Sequence, residues 1–158
     1  MKRIIIGIFN LLIFSTLTAS GQQLVDSQCN RIFDDVAGEM KPTHIFRREI
    51  YTSDCDFDFT AKNGSGLLIT VETYGTEKET KEAIKSDLAL YKGSDDKTTA
   101  VNMKTEGFWD EAILYNRNRT GDGFILLRRQ KFLISLFSLN DEVLLTAEKT
   151  LRKVKFMD

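Results

Sequence analysis

His44 is the only histidine in the chain. It is the first residue to weigh as a catalyst, because imidazole exchanges protons near neutral pH. A hydrolase built on it needs a nucleophile and an orienting acid brought to it by the fold, with a nearby Asp as the first choice of acid. The Gly-x-Ser-x-Gly elbow that presents a nucleophilic serine is absent. Asp54, Asp56 and Asp58 alternate with Cys55, Phe57 and Phe59, which resembles the opening of a calcium loop. Such a loop requires Gly at its sixth position and Glu at its twelfth, where this chain has Phe59 and Ser65. As a strand, the same spacing lines the carboxylates along one solvated face, about 6–7 Å apart, with Arg or Lys across the sheet. One histidine and two cysteines do not complete a zinc ligand set. No metal and no cofactor is expected.

Two basic clusters, Arg47-Arg48 and Arg128-Arg129-x-Lys131, fall on expected strands. If those strands were neighbours, four guanidinium forks would make a patch for an anion or an acidic partner. Phe108 and Trp109 would be its aromatic members. If not, basic pairs of this kind protect sheet edges and balance the aspartates. Phe108, Trp109 and Tyr115 also suit a core position or the wall of an apolar pocket.

The amino terminus bears on where such a surface would work. Lys2 and Arg3 precede an uncharged apolar run, Ile4 to Leu17, and then the small residues Thr18-Ala19-Ser20-Gly21. A basic start, an apolar middle and a small-residue end read as a secretory signal peptide over residues 1–21. The run is shorter than the roughly 20 residues that cross a bilayer, so no membrane span is expected after cleavage. The expected location is the periplasm or the medium.

Residues 22–158 read as one α+β domain of ordinary size. Of the 22 basic residues two lie in the leader, against 23 acidic ones overall. With a mildly acidic balance and no basic block, nucleic acid is a poor partner. Cys29 and Cys55 are the only cysteines, and two thiols in an exported chain most often pair. The bridge would close a loop worth about 3–4 kcal/mol in chain entropy. Asn63-Gly64-Ser65 and Asn118-Arg119-Thr120 are glycosylation sequons, meaningful only on a eukaryotic secretory route.

The elements that would position these residues follow from periodicity. Asp26 or Ser27 caps a helix with Cys29, Ile32, Phe33, Val36 and Met40 on one side, stopped by Pro42. Strands follow at Ile45 to Tyr51 and, after a reversal at Thr52-Ser53-Asp54, at Asp54 to Phe59. Asn63-Gly64 signals a two-residue hairpin, extended by Ser65-Gly66, into a strand through Leu67, Leu68, Ile69, Val71 and Tyr74. Thr76 and Glu79 stand in capping-box register ahead of a helix with Ala83, Ile84, Leu88 and Tyr91 inward and Gly93 at its end. Ser94 to Thr99 reads as an exposed loop. Strands at Phe108 to Tyr115, Gly123 to Arg129 and Phe132 to Leu139 come next, with a turn at Arg119 to Asp122. Asn140 then caps a last helix with Val143, Leu144, Ala147, Leu151 and Val154 buried, and Lys149, Arg152, Lys153 and Lys155 near its negative end. The order α-β-β-β-α-β-β-β-α, rich in hairpins, predicts an antiparallel sheet of about five to six strands with helices packed on it, and a disulfide pinning the first helix to the second strand.

On these features the chain resembles a group of small exported bacterial α/β domains of unknown function. In that group a helix cysteine is followed about twenty-five residues later by a strand cysteine, and a Gly-x-Gly-Asp-x-Ala turn precedes two long strands. Here Cys29, Cys55 and Gly107-Phe108-Trp109-Asp110-Glu111-Ala112 stand in that order. Trp109 occupies the place of the second glycine, which bears on how tightly the turn closes. The group is similar to actinobacterial secreted lipoprotein domains and, more distantly, to the PsbP/Mog1-like α-β-α sandwich. The resemblance implies the fold and carries over no catalytic residue. An export signal without active-site chemistry leads us to expect a non-enzymatic binding or interaction protein, inhibitor-like or immunity-like in its most specific form. Its expected partner is a protein or a small apolar ligand of the envelope. The alternatives are a small periplasmic hydrolase using His44 and a structural envelope protein.

Overall fold

A computed structural model of the chain describes residues 27–50, 53–92, 98–117, 123–154 and 156. The expected signal peptide, Asp26, Tyr51, the 52–54 reversal in part, Gly93, residues 94–97 of the expected loop, the Asn118 sequon, the Arg119 to Asp122 turn and Lys155 lie outside the described residues. The elements run α1 (27–40), β1 (His44–Ile50), β2 (Asp54–Thr60), β3 (Gly66–Thr73), α2 (Glu77–Lys92), β4 (Thr98–Asn102), β5 (Glu111–Arg117), β6 (Gly123–Arg129), β7 (Phe132–Ser138) and α3 (Asp141–Leu151). The class is α+β, with every strand pairing antiparallel.

Among the described residues the sheet has seven strands in the order β1-β2-β3-β7-β6-β5-β4. The strand beyond those expected is β4, which begins inside the segment read as a loop. Its residues Thr98-Thr99-Ala100-Val101-Asn102 show no alternation of apolar and polar types, because an outermost strand with exposed Ala100, Val101 and Asn102 has little to bury. The β2–β3 connection also differs from expectation. It is a longer turn, in which the Ala61 amide donates to the Ser65 carbonyl at 2.8 Å and Gly64 adopts φ 83. The Asn63 side chain accepts from the Ser65 amide at 3.0 Å, an Asx turn that takes the place of a two-residue hairpin.

Strand alternation divides the sheet into two faces. Cys55, Phe57 and Phe59 of β2, Leu67, Ile69 and Val71 of β3, Ile134 and Leu136 of β7, and Ile125 and Leu127 of β6 are all buried on one face. Cys29, Ile32 and Val36 of α1 and Val143, Leu144, Ala147 and Leu151 of α3 join them in one cluster. The Cys29–Cys55 disulfide crosses that interface with the two Cα atoms 6.2 Å apart. On the other face Ile84 of α2 packs with Ile113, Tyr115, Leu126 and Leu133. The result is three layers, two helices on one side of the sheet and one on the other.

The starts of α2 and α3 and the end of α1 are those the sequence specifies. The Thr76 hydroxyl accepts from the Glu79 amide at 3.2 Å, and the Glu79 carboxylate accepts from the Thr76 amide at 2.9 Å, a complete capping box. Asn140 Oδ1 accepts the Glu142 and Val143 amides at 2.9 and 3.2 Å. At the end of α1, Lys41 turns left-handed (φ 47) and its amide donates back to the Ala37 carbonyl at 3.0 Å. Pro42, which cannot continue a helix, comes next.

Candidate functional site

The strand order decides the fate of the basic patch. Arg47 and Arg48 lie on β1, an edge strand, while Arg128 and Arg129 lie on β6, with β2, β3 and β7 between them. Four inter-strand steps of about 4.8 Å separate the two pairs by roughly 19 Å, so the fold does not assemble one four-arginine site.

Each member near β6 already has work inside the protein. Arg128 is 5 % exposed, and its Nη1 and Nη2 lie 3.0 and 3.3 Å from the carboxylates of Asp110 and Glu111. Asp110 Oδ2 also accepts the Gln130 amide at 2.6 Å, so it fixes the turn from β6 to β7, where Gln130 has φ 51. Arg129 lies with its guanidinium carbon 4.2 Å from the centre of the Phe108 ring, and its Nη1 donates to the Phe108 carbonyl at 2.9 Å. Cation–π and hydrogen bond together hold the loop before β5 against β6.

That loop makes its reversal with left-handed Glu106 (φ 51) and Gly107 (φ 75). A glycine suits the second position because a side chain there would be strained. Trp109, in the place of a second glycine, has no positive φ; it drops into the core and is 3 % exposed. Its ring lies 4.7 Å from that of Phe108 and 5.9 Å from that of Phe156. Its Nε1 donates to Glu148 Oε1 of α3 at 2.6 Å, and the same oxygen accepts from Arg152 Nε at 2.6 Å. Arg152 reaches on to Glu106 and to the Lys104 carbonyl. The guanidinium is held above its ordinary pKa, first by the hydrogen bond to Glu148, against the opposing effect of burial. Sequence periodicity did not single out Glu148, although it stands beside Leu144, Ala147 and Leu151 on the buried stripe of α3. A carboxylate on an apolar stripe was the available signal.

Beside this seam a cleft of about 340 Å³ is lined by Asn102, Met103, Thr105, Asp110, Glu111 and the start of β5. A second, of about 320 Å³, lies between the end of α1, the β2–β3 turn and the start of α3, with Glu39 and Glu142 in its wall. His44 lines neither; it opens β1 at an exposed position across from Thr60. Asp58 pairs in register with Arg47, Asp56 with Glu49 and Asp54 with Glu72, so the three aspartates of β2 form an acidic strip along one face. Among the described residues no group of three His, Cys, Asp or Glu is placed to hold a metal ion.

The acidic strip borders a surface the sequence did not reveal. Among the described residues the apolar cluster under α2 draws on β5, β6 and β7, while on the same face of β2 and β3 Asp54, Asp56, Asp58, Thr70 and Glu72 are half-buried and Leu68 is exposed. Leu68 and Phe137 are cross-strand partners there, 37 % and 44 % exposed. Continuing the register outward gives Asp58 and Arg47 on one side and Phe124 and Tyr115 on the other. The signal lay in β7, where Phe137 continues the line of Leu133 and Ser135 and is exposed. Compared with known protein families, curated proteins and solved structures, the chain matches none of them.

Proposed function

We propose that this is an exported, non-enzymatic binding protein that docks a partner protein on the sheet face around Leu68 and Phe137. The observation that carries this reading is the exposed Leu68–Phe137 pair beside Asp54, Asp56 and Asp58. An apolar centre with a carboxylate border suits a partner surface that presents an apolar residue flanked by Lys or Arg. Both clefts carry carboxylates in their walls, so a small apolar ligand is the weaker reading of the same molecule. The Cys29–Cys55 bridge accords with an oxidising compartment, and the amino-terminal leader favours the periplasm or the medium. An inhibitor or immunity role, blocking an enzyme of that compartment, is the specific form.

The test is capture from envelope extract on the immobilised protein, comparing the parent with Leu68→Asp and Phe137→Asp. Both positions are exposed, so the variants should keep the parent's melting temperature. A partner that elutes with salt and is lost with either substitution supports the reading. Capture unaffected by both substitutions, or no capture, rejects it.

A further inference from the structure

The two edges of the sheet are built differently. β1 carries His44, Arg47, Arg48 and Glu49, and its register with β2 shifts between Ile45 and Arg47. Charge and irregularity are the usual protections of an exposed edge. β4 has neither. Thr98-Thr99-Ala100-Val101-Asn102 contains no charge and no proline, and its five pairs with β5 run without a break. Val101 is 54 % exposed.

Among the described residues no strand pairs with the outer side of β4, and the direction of its backbone groups follows from one hydrogen bond. The Met103 amide donates to the Ala112 carbonyl of β5 at 2.8 Å. In an antiparallel ladder the groups alternate in direction, so Val101 and Thr99 face β5 and Thr98, Ala100 and Asn102 face outward. These three are disposed evenly about Ala100. We infer that β4 pairs with β4 of a second copy across a two-fold axis at Ala100. Ala100 then lies opposite its own counterpart, Thr98 opposite Asn102 of the second copy, and about six inter-strand hydrogen bonds form. Isologous pairing sets an edge against itself, so it needs an edge free of bulge, charge and proline; β4 meets this need and β1 does not. Asn102 also lines the 340 Å³ cleft, which brings Thr98 of the second copy to the rim of that cleft. This inference is independent of the Leu68–Phe137 reading, which concerns a face and not an edge.

Sedimentation velocity on the protein recovered after export, at concentrations up to about 1 mM, the range of weak small interfaces, decides the matter. A concentration-dependent dimer is expected. Val101→Lys and Ala100→Pro should each weaken it by about tenfold or more, since a charge or a missing outward amide blocks an edge. Leu68→Asp should leave it unchanged. Slowed amide exchange at Ala100 with rising concentration would locate the contact. A monomer throughout the range overturns the inference, and so does a dimer that survives both β4 substitutions.

Discussion

Trp109 and Glu148, 39 residues apart in the chain, meet in the interior through an indole-to-carboxylate hydrogen bond of 2.6 Å. This contact joins the loop before β5 to the middle of α3, and Arg152 closes it from the solvent side. A buried carboxylate is tolerable only with such partners.

Glu148→Ala removes the acceptor of Trp109 and the partner of Arg152 together. The expected loss is about 3–5 kcal/mol, the range for breaking a buried charge pair. Glu148→Gln keeps an oxygen for the indole and gives up the charge, so it should cost less. Urea unfolding of the two variants checks the order; equal losses would show that the indole bond contributes nothing.

Reduction of Cys29–Cys55, 26 residues apart, frees the unfolded chain. The loop-entropy relation gives a loss of about 3.5 kcal/mol. Thermal unfolding with and without a reductant should differ accordingly, and the paired Cys29→Ser, Cys55→Ser variant should match the reduced protein.

Three groups with raised pKa values bear on how stability depends on pH. Burial raises the Asp87 carboxyl above its usual range, so the folded protein holds that proton more firmly than the unfolded chain does. Its contribution falls as pH climbs from about 4. Asp87→Asn should therefore be more stable than the parent at neutral pH, with the gain gone near pH 3. The Tyr74 phenol is raised by burial and then by its hydrogen bond to Glu72, with Asp87 and Asp54 adding to it, and Tyr115 is raised by burial. Their stabilisation is present below about pH 10 and lost above it, as unfolded phenols ionise first. Ultraviolet titration of the folded protein should show tyrosines that ionise late.

Local patterns made much of this architecture legible. The strict alternation of Asp54 to Phe59 became a half-buried strand with Cys55, Phe57 and Phe59 inward. Thr76–Glu79 and Asn140 cap the helices as their spacing requires, and Val143, Leu144, Ala147, Leu151 and Val154 are buried. What was not legible depended on strand order. Arg47-Arg48 and Arg128-Arg129 look alike as dipeptides, yet one pair lies on an edge and the other near the middle of the sheet. Trp109 reads as core or as the wall of an apolar pocket, and nothing in the sequence shows that its indole meets Glu148. Leu68 and Phe137, 69 positions apart, became a surface only because β3 pairs with β7.

That same pairing makes the sheet two meanders laid side by side. β1 to β3 form one from residues close in sequence, β4 to β7 the other, and the Val71–Ile134 seam is the single long-distance closure between them. Hairpins can zip quickly, whereas a distant closure must first overcome the entropy of the intervening chain. The disulfide lies wholly on the first side of that seam, so oxidation can consolidate one meander before the other has joined it.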